Sequence, residues 1–173
     1  MTEYCLQLGN INNKKQIIIA KLVFIVGPTG SGKSTGIRNL DPKTTVLMNS
    51  DQKDLPFRQF GKSYNKEMKN YKKSSDLKVI KKLMLKLNEP ENAHVETAIV
   101  DTFTRVMTDY VMNNKFRSST GFEKWGNLSG DIYDFINMIN EVLRDDLIVY
   151  LFCHPEVIID ENGRQYSRIA VQG

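Results

Sequence analysis

Apolar positions along this chain alternate between short continuous runs and longer periodic stretches. Leu22-Val23-Phe24-Ile25-Val26 is an unbroken β-branched and aromatic run, the pattern of a strand covered on both faces in a parallel sheet. A glycine-rich segment follows directly. Ser34 to Leu40 then begins as a helix, which Asp41-Pro42 stops because proline disfavours helical geometry in the residue before it. Thr45–Asn49 predicts a second short strand, and Asp51 to Lys73 a stretch of loop and irregular structure. Leu77, Ile80, Met84 and Leu87 recur near the helical period behind a cap at Ser74 or Ser75, and Asn88 to Asn92 ends that helix. Thr97–Val100 predicts a third strand running into Asp101. Lys115 to Gly130, with glycines at 121, 126 and 130, reads as a loop with short helical pieces. Asp131 then caps an amphipathic helix whose core face is Ile132, Phe135, Ile136, Ile139, Val142 and Leu143. Leu147–Phe152 is another buried strand, ending at His154-Pro155. Val157–Ile159 and Gln165–Val171 flank Asp160-Glu161-Asn162-Gly163, where Asn-Gly supplies hairpin-turn chemistry. Met1 to Gln16 carries few signals and reads as irregular or hairpin-like.

This alternation predicts an α/β fold: a mostly parallel sheet flanked by helices, with a C-terminal β-hairpin, in one domain spanning residues 1–173. Hydrophobic residues at 40% and charged residues at 25% exclude a disordered chain. The net charge of +4 permits an acidic partner without arguing for one. Cys5 and Cys153 have no metal or redox spacing, so a reducing compartment is expected. Met-Thr-Glu-Tyr-Cys does not begin a signal peptide, and no apolar run is long enough to span a bilayer. A cytoplasmic protein with no membrane partner is the expectation.

Gly27-Pro28-Thr29-Gly30-Ser31-Gly32-Lys33-Ser34 matches G-x-x-x-x-G-K-[S/T] in full, after a strand and before a helix. Glycines allow the backbone to turn its N–H groups around phosphate oxygens, and the helix N-terminus adds partial positive charge. Lys33 would reach the β- and γ-phosphates, and the Ser34 hydroxyl would ligate Mg²⁺. Gly27 through Ser34, with Thr35 beyond it, form the expected nucleotide-binding set. A chance glycine-rich turn is the plainer alternative. No guanine-recognition signature is present, which favours ATP. Such a loop needs a second metal-organising carboxylate on a neighbouring strand, and Asp101 fits as a second-shell ligand of Mg²⁺. A helix N-cap is the competing role.

Asp101-Thr102-Phe103-Thr104-Arg105 resembles the Asp-Ser-Leu/Val-Thr pattern at the corresponding strand end of RecA-like recombination ATPases. With the glycine motif, Asp54-Leu55-Pro56-Phe57, Gly121-Phe122-Glu123-Lys124-Trp125, and Leu143 through His154, the chain resembles phage-encoded RecA-like P-loop ATPases of recombination or replication modules. The resemblance spans most of the chain, and only the glycine motif is individually specific. It implies a RecA-like core, ATP and Mg²⁺ binding, homo-oligomerisation with ATP at subunit interfaces, and action on single-stranded DNA in the host cytoplasm. It also implies that Asp51, at the end of Val46–Ser50, orients or activates water, although the family more often has glutamate there. Asp51 could equally cap a turn. His154 takes the position of a γ-phosphate sensor; packing at a corner before Pro155 is its alternative. Relatives continue beyond the point matching Gly173, so a lysine or arginine finger from that region would lie outside this sequence.

Arg58 to Lys86 is the most basic segment, opposed only by Glu67 and Asp76, and Phe57, Phe60, Tyr64 and Tyr71 are interleaved in its first half. Lysines for phosphates and aromatics for bases make single-stranded nucleic acid a candidate ligand, against a solvated helix face with core aromatics. Trp125 could stack on a base or serve as a buried structural residue. Two other functions fit the motif. One is a small-molecule or nucleotide kinase, with residues 62 to 82 binding the acceptor; the other is a nucleotide-dependent switch with little hydrolysis.

Overall fold

The computed structural model describes residues 21–118 and 121–170; the lead-in over Met1–Gln16, with Cys5, lies outside them. Strand β1 (Lys21–Val26) is followed by a one-turn helix α1 (Lys33–Gly36) that tightens into a 3₁₀ turn over Ile37–Asn39. Then come β2 (Thr45–Asn49), α2 (Phe60–Ser63), β3 (Tyr71–Lys73), α3 (Leu77–Lys86) and β4 (Thr97–Asp101). Helices α4 (Phe103–Met112), α5 (Asn114–Ser118) and α6 (Glu123–Glu141) precede β5 (Ile148–Cys153). The hairpin strands β6 (Pro155–Ile159) and β7 (Gln165–Ile169) end the described chain.

Five strands form one parallel sheet in the order β1-β5-β4-β2-β3, and β6-β7 is a separate antiparallel pair. The register aligns Met48, Val100 and Leu151 in one row and Leu47, Ile99 and Tyr150 in the next. Side chains alternate faces along a strand, so successive rows feed two cores. Met48, Val100 and Leu151 pack with Ile80, Met84, Phe103, Phe135 and Ile139 of α3, α4 and α6. Leu47, Ile99 and Phe152 pack with Ile37, Leu55, Phe60 and Tyr64. Each fully buried side chain of this size contributes about 1.5–3 kcal/mol, so the hydrophobic stabilisation is shared between the central strands and the helices and loops packed on them.

The sequence expectations require five corrections. First, β1 is not covered on both faces: Phe24 and Val26 are exposed, and among the described residues its strand partner is β5. Second, the segment 51–73 contains α2 and β3, with β3 hydrogen-bonded to β2. Third, Asp76, not Ser74 or Ser75, caps α3, accepting from the Lys78 N–H at 2.8 Å. Fourth, Asp131 caps nothing. It sits inside a 19-residue helix that begins at Glu123 and contains Gly126 and Gly130, and its Oδ2 accepts from the Tyr110 hydroxyl at 2.6 Å. Fifth, Val142 lies on the solvent side, 53% exposed, whereas Phe135, Ile139 and Leu143 are buried as expected. In the hairpin, Asp160 Oδ1 accepts from the N–H groups of Asn162 and Arg164, and Gly163 takes φ 75°. No helix of the described residues is long and apolar enough to cross a membrane.

Candidate functional site

The carboxyl ends of parallel strands gather on one edge of a sheet, and ligands of open α/β folds bind in the crevice outside that edge. Here the edge brings together the glycine loop after β1, Asp51 after β2, Asp101 at the end of β4 and His154 after β5. The loop begins by extending the ladder, since the Gly27 N–H donates to Cys153 O at 3.2 Å. It turns through a Ser31 N–H to Pro28 O bond at 3.2 Å, and Gly30 and Gly32 take φ 82° and 88°, a region costly for any residue with a Cβ. At Gly27 the constraint is different: a Cβ there would lie 2.7 Å from Ser31 Oγ and would make that side chain shift. The Lys33 ammonium folds into the loop, donating to Gly27 O, to Pro28 O at 3.0 Å and to Ser31 Oγ at 3.4 Å. Ser34 and Thr35 follow in α1. The helical stretch runs to Asn39, as expected up to Leu40, but only its first turn is α-helical, so its dipole adds little beyond its own N–H groups.

Asp101 is 3% exposed, and its Oδ1 is buried without a hydrogen-bond partner. Burial raises its carboxyl above the ordinary carboxylate range; a hydrogen bond from Ser34 opposes this, the charge of Asp51 adds to it, and Lys33 and His154 oppose it. Four other residues named from sequence, Ser34, Asp51, Lys33 and His154, therefore act on Asp101. The capping alternative for Asp101 does not hold, because Thr102 is the N-cap of α4, accepting from the Arg105 N–H at 3.4 Å. Asp101 is not on the strand adjacent to β1, as the sequence suggested. Strand β5 lies between them, which places His154 between the loop and the carboxylate.

The turn-capping alternative for Asp51 also fails. Asn49 Oδ1 accepts the Gln52 N–H at 2.9 Å and so closes that turn. The Asp51 carboxylate instead accepts from Thr102 Oγ1 at 3.2 Å. Its backbone is fastened to β4, with the Ser50 and Asp51 N–H groups reaching Asp101 O at 2.7 and 3.4 Å. His154 is half-buried, its N–H donating to Thr104 Oγ1 at 3.0 Å and its carbonyl accepting from the Ala170 N–H. Cys153 beside it is a buried free thiol pushed up to about 11 by burial. Sequence reasoning missed Thr102, Thr104 and Ser50, whose buried hydroxyl has no partner. The repeated threonines after Asp101 were the available signal.

Among the described residues no group of three or more His, Cys, Asp or Glu could hold a metal by itself. The oxygens present suit a different arrangement. The Ser34 hydroxyl is close enough to act on the Asp101 carboxyl, whose Oδ1 lacks a donor; these are hard oxygens of the kind Mg²⁺ takes when water and phosphate complete its shell.

The basic segment divides in two. Its aromatics are not a stacking surface: Phe60 and Tyr64 are buried, and Phe57, Phe60, Tyr64 and Tyr71 pack on one another with centroids 5.2–6.5 Å apart. Its cations face water, Lys62, Lys66, Lys69, Lys72, Lys73, Lys78, Lys82 and Lys86 all being exposed. Lys66, Lys72 and Lys73 line a cavity of about 660 Å³ beside β3. Trp125 is half-buried against Phe116, centroids 5.1 Å apart, so its structural role holds. A scan against protein-family models gives no match, and a search of the curated proteins finds no similar sequence.

Proposed function

We propose that this chain is a RecA-like P-loop ATPase that binds ATP with Mg²⁺, hydrolyses it, and acts on single-stranded DNA in a recombination or replication module. The observation that carries the reading is the meeting, on one sheet edge, of the glycine loop with Ser34 and a buried Asp101 whose Oδ1 has no partner. Strands lie about 4.8 Å apart, so β1 and β4, with β5 between them, stand roughly 9–10 Å apart. That leaves room for a γ-phosphate between the loop and the carboxylate. Backbone N–H groups of Gly30 to Ser34 hold the phosphates, and Lys33 exchanges the carbonyls of Gly27 and Pro28 for β- and γ-oxygens. Ser34 and Asp101 are the residues that would hold Mg²⁺, which when bound neutralises charge on those oxygens. Asp51 accepts a hydrogen bond from the attacking water, and His154 donates one to the γ-phosphate. The lysine face of Arg58–Lys86 contacts DNA phosphates without stacking on bases.

The test is Mg²⁺-dependent ATP hydrolysis with and without single-stranded DNA, for the wild type, Lys33→Ala and Asp101→Ala. DNA-stimulated turnover, absent from both variants, is expected; ATP binding without turnover would leave a nucleotide switch. One observation favours a second reading, kinase activity: a cavity of about 660 Å³ beside β3, lined by Lys66, Lys72 and Lys73 together with Asp54, suits an anionic acceptor. Phosphate transfer to a nucleoside monophosphate, without DNA stimulation, would select it.

A further inference from the structure

Asp51 is one methylene shorter than the glutamate of its relatives and begins a loop, two disadvantages for a group that must hold water in line. Three features offset them. The Ser50 and Asp51 N–H groups both reach Asp101 O, which ties the loop to the neighbouring strand. Asn49 takes over the turn, so the Asp51 carboxylate has no local backbone donor to satisfy. Thr102 is 3% exposed and supplies a hydroxyl at 3.2 Å from Asp51 Oδ1. Its oxygen already accepts the Arg105 N–H, and a hydroxyl has a single proton to give. That proton is therefore directed at Asp51. Among the described residues nothing hydrogen-bonds Asp51 Oδ2.

We propose that Thr102 is the positioning residue for Asp51: its hydroxyl holds Oδ1 and so turns Oδ2 outward to receive the attacking water. The inference rests on the reading of Asp51 as the water-orienting group. It gives the residue after the metal-organising aspartate a task in hydrolysis separate from nucleotide binding, with α4 held at its first turn by the same hydroxyl. Thr104, one turn position further, ties β5 at His154 to the same helix start, so the first turn of α4 sets the spacing of two of the groups that face the phosphate.

The test measures single-turnover ATP hydrolysis and ATP affinity for the wild type, Thr102→Val, Thr102→Ser, Asp51→Ala and the Thr102→Val/Asp51→Ala double variant of the full chain. Thr102→Val keeps the shape and removes the hydroxyl. It should slow hydrolysis about tenfold, the effect of one hydrogen bond to a charged group, with ATP affinity within about twofold of wild type. Thr102→Ser should recover most of the rate. Because Thr102 works through Asp51, the double variant should be no slower than Asp51→Ala alone. Losses that multiply in the double variant, or a Thr102→Val defect that appears in affinity rather than rate, would reduce Thr102 to a helix cap and overturn the proposal. A wild type that binds ATP and never hydrolyses it is a different failure: it removes the ATPase reading itself, and the positioning role with it.

Discussion

Replacing Asp101 with asparagine should make the nucleotide-free protein more stable while abolishing its response to Mg²⁺-ATP. The carboxyl is 3% exposed and Oδ1 has no donor, and burial raises its pKa from the ordinary 3.8. For an acid whose folded value is raised, its favourable contribution is complete below the unfolded value and is lost as pH climbs through the folded one. Wherever the folded carboxyl is ionised, the wild type therefore bears the cost of a buried, under-solvated anion. Leaving a buried polar group unpartnered costs about 1–3 kcal/mol. Asparagine keeps the volume and still leaves a polar atom without a partner, so only the charge is relieved and a gain of about 1 kcal/mol is expected, roughly 3 °C in Tm for a chain of this size. With ligand at 100 times its Kd, binding adds about 2.7 kcal/mol to the wild type, roughly 5–10 °C. In Asp101→Asn that shift should vanish. Thermal melts across pH, with and without Mg²⁺-ATP, read both effects. The Tm difference between variant and wild type should be small near pH 4, grow as pH rises and then level off. An Asp101→Asn protein that melts several degrees below wild type yet keeps its Mg²⁺-ATP shift would refute the reasoning, because the carboxylate would then be a structural partner and not an ion site.

Two smaller perturbations bear on the loop and on α6. Gly27→Ala places a Cβ 2.7 Å from Ser31 Oγ in an exposed loop. ATP affinity should fall about tenfold or more while Tm stays within about 2 °C, checked by nucleotide titration and melting. Tyr110→Phe and Asp131→Ala each remove one end of a 2.6 Å hydrogen bond and should each cost about 1 kcal/mol in urea unfolding. The double variant should lose less than the sum of the two, as expected for partners and not for a helix cap.

The strands were legible because each is a run of β-branched and aromatic residues bounded by turn residues, and Thr45–Asn49 appears with the bounds its sequence suggests. Strand β3 was not, because three residues ending in two exposed lysines carry no apolar period; at a sheet edge, charge protects against further pairing and needs no apolar side chain. The first half of helix α6 has the sequence character of a loop, because Gly126 and Gly130 each cost about 1 kcal/mol relative to alanine in a helix. Leu128, 1% exposed, and the Tyr110–Asp131 bond supply tertiary support that a local pattern does not reveal. The glycine motif and Asp101 could be read locally, since motif and strand end lie in short contiguous segments. The support for Asp51 could not: its hydroxyl donor is 51 residues away, and Asn49 and Asp51 are equally plausible turn caps until the backbone shows which one is used. The aromatics near Lys66 illustrate the same limit, because composition does not distinguish rings that stack on a ligand from rings that stack on one another.

The strand order bears on how the protein is made. Strand β1 is the first described strand to leave the ribosome, yet its strand partner in the sheet is β5, with Lys21 opposite Ile148 and Val26 opposite Cys153. Gly27, where the glycine loop begins, hydrogen-bonds to Cys153 O as well. Among the described residues, a nascent chain that has not yet reached Ile148 thus carries the whole glycine motif without the strand that pairs with β1. Strands β2, β3 and β4 can pair while synthesis continues, but the phosphate loop must wait for nearly the last segment. If the chain binds nucleotide as proposed, capture of nucleotide is a late event in biogenesis, and an arrested or truncated product lacking β5 should bind no ATP despite an intact motif.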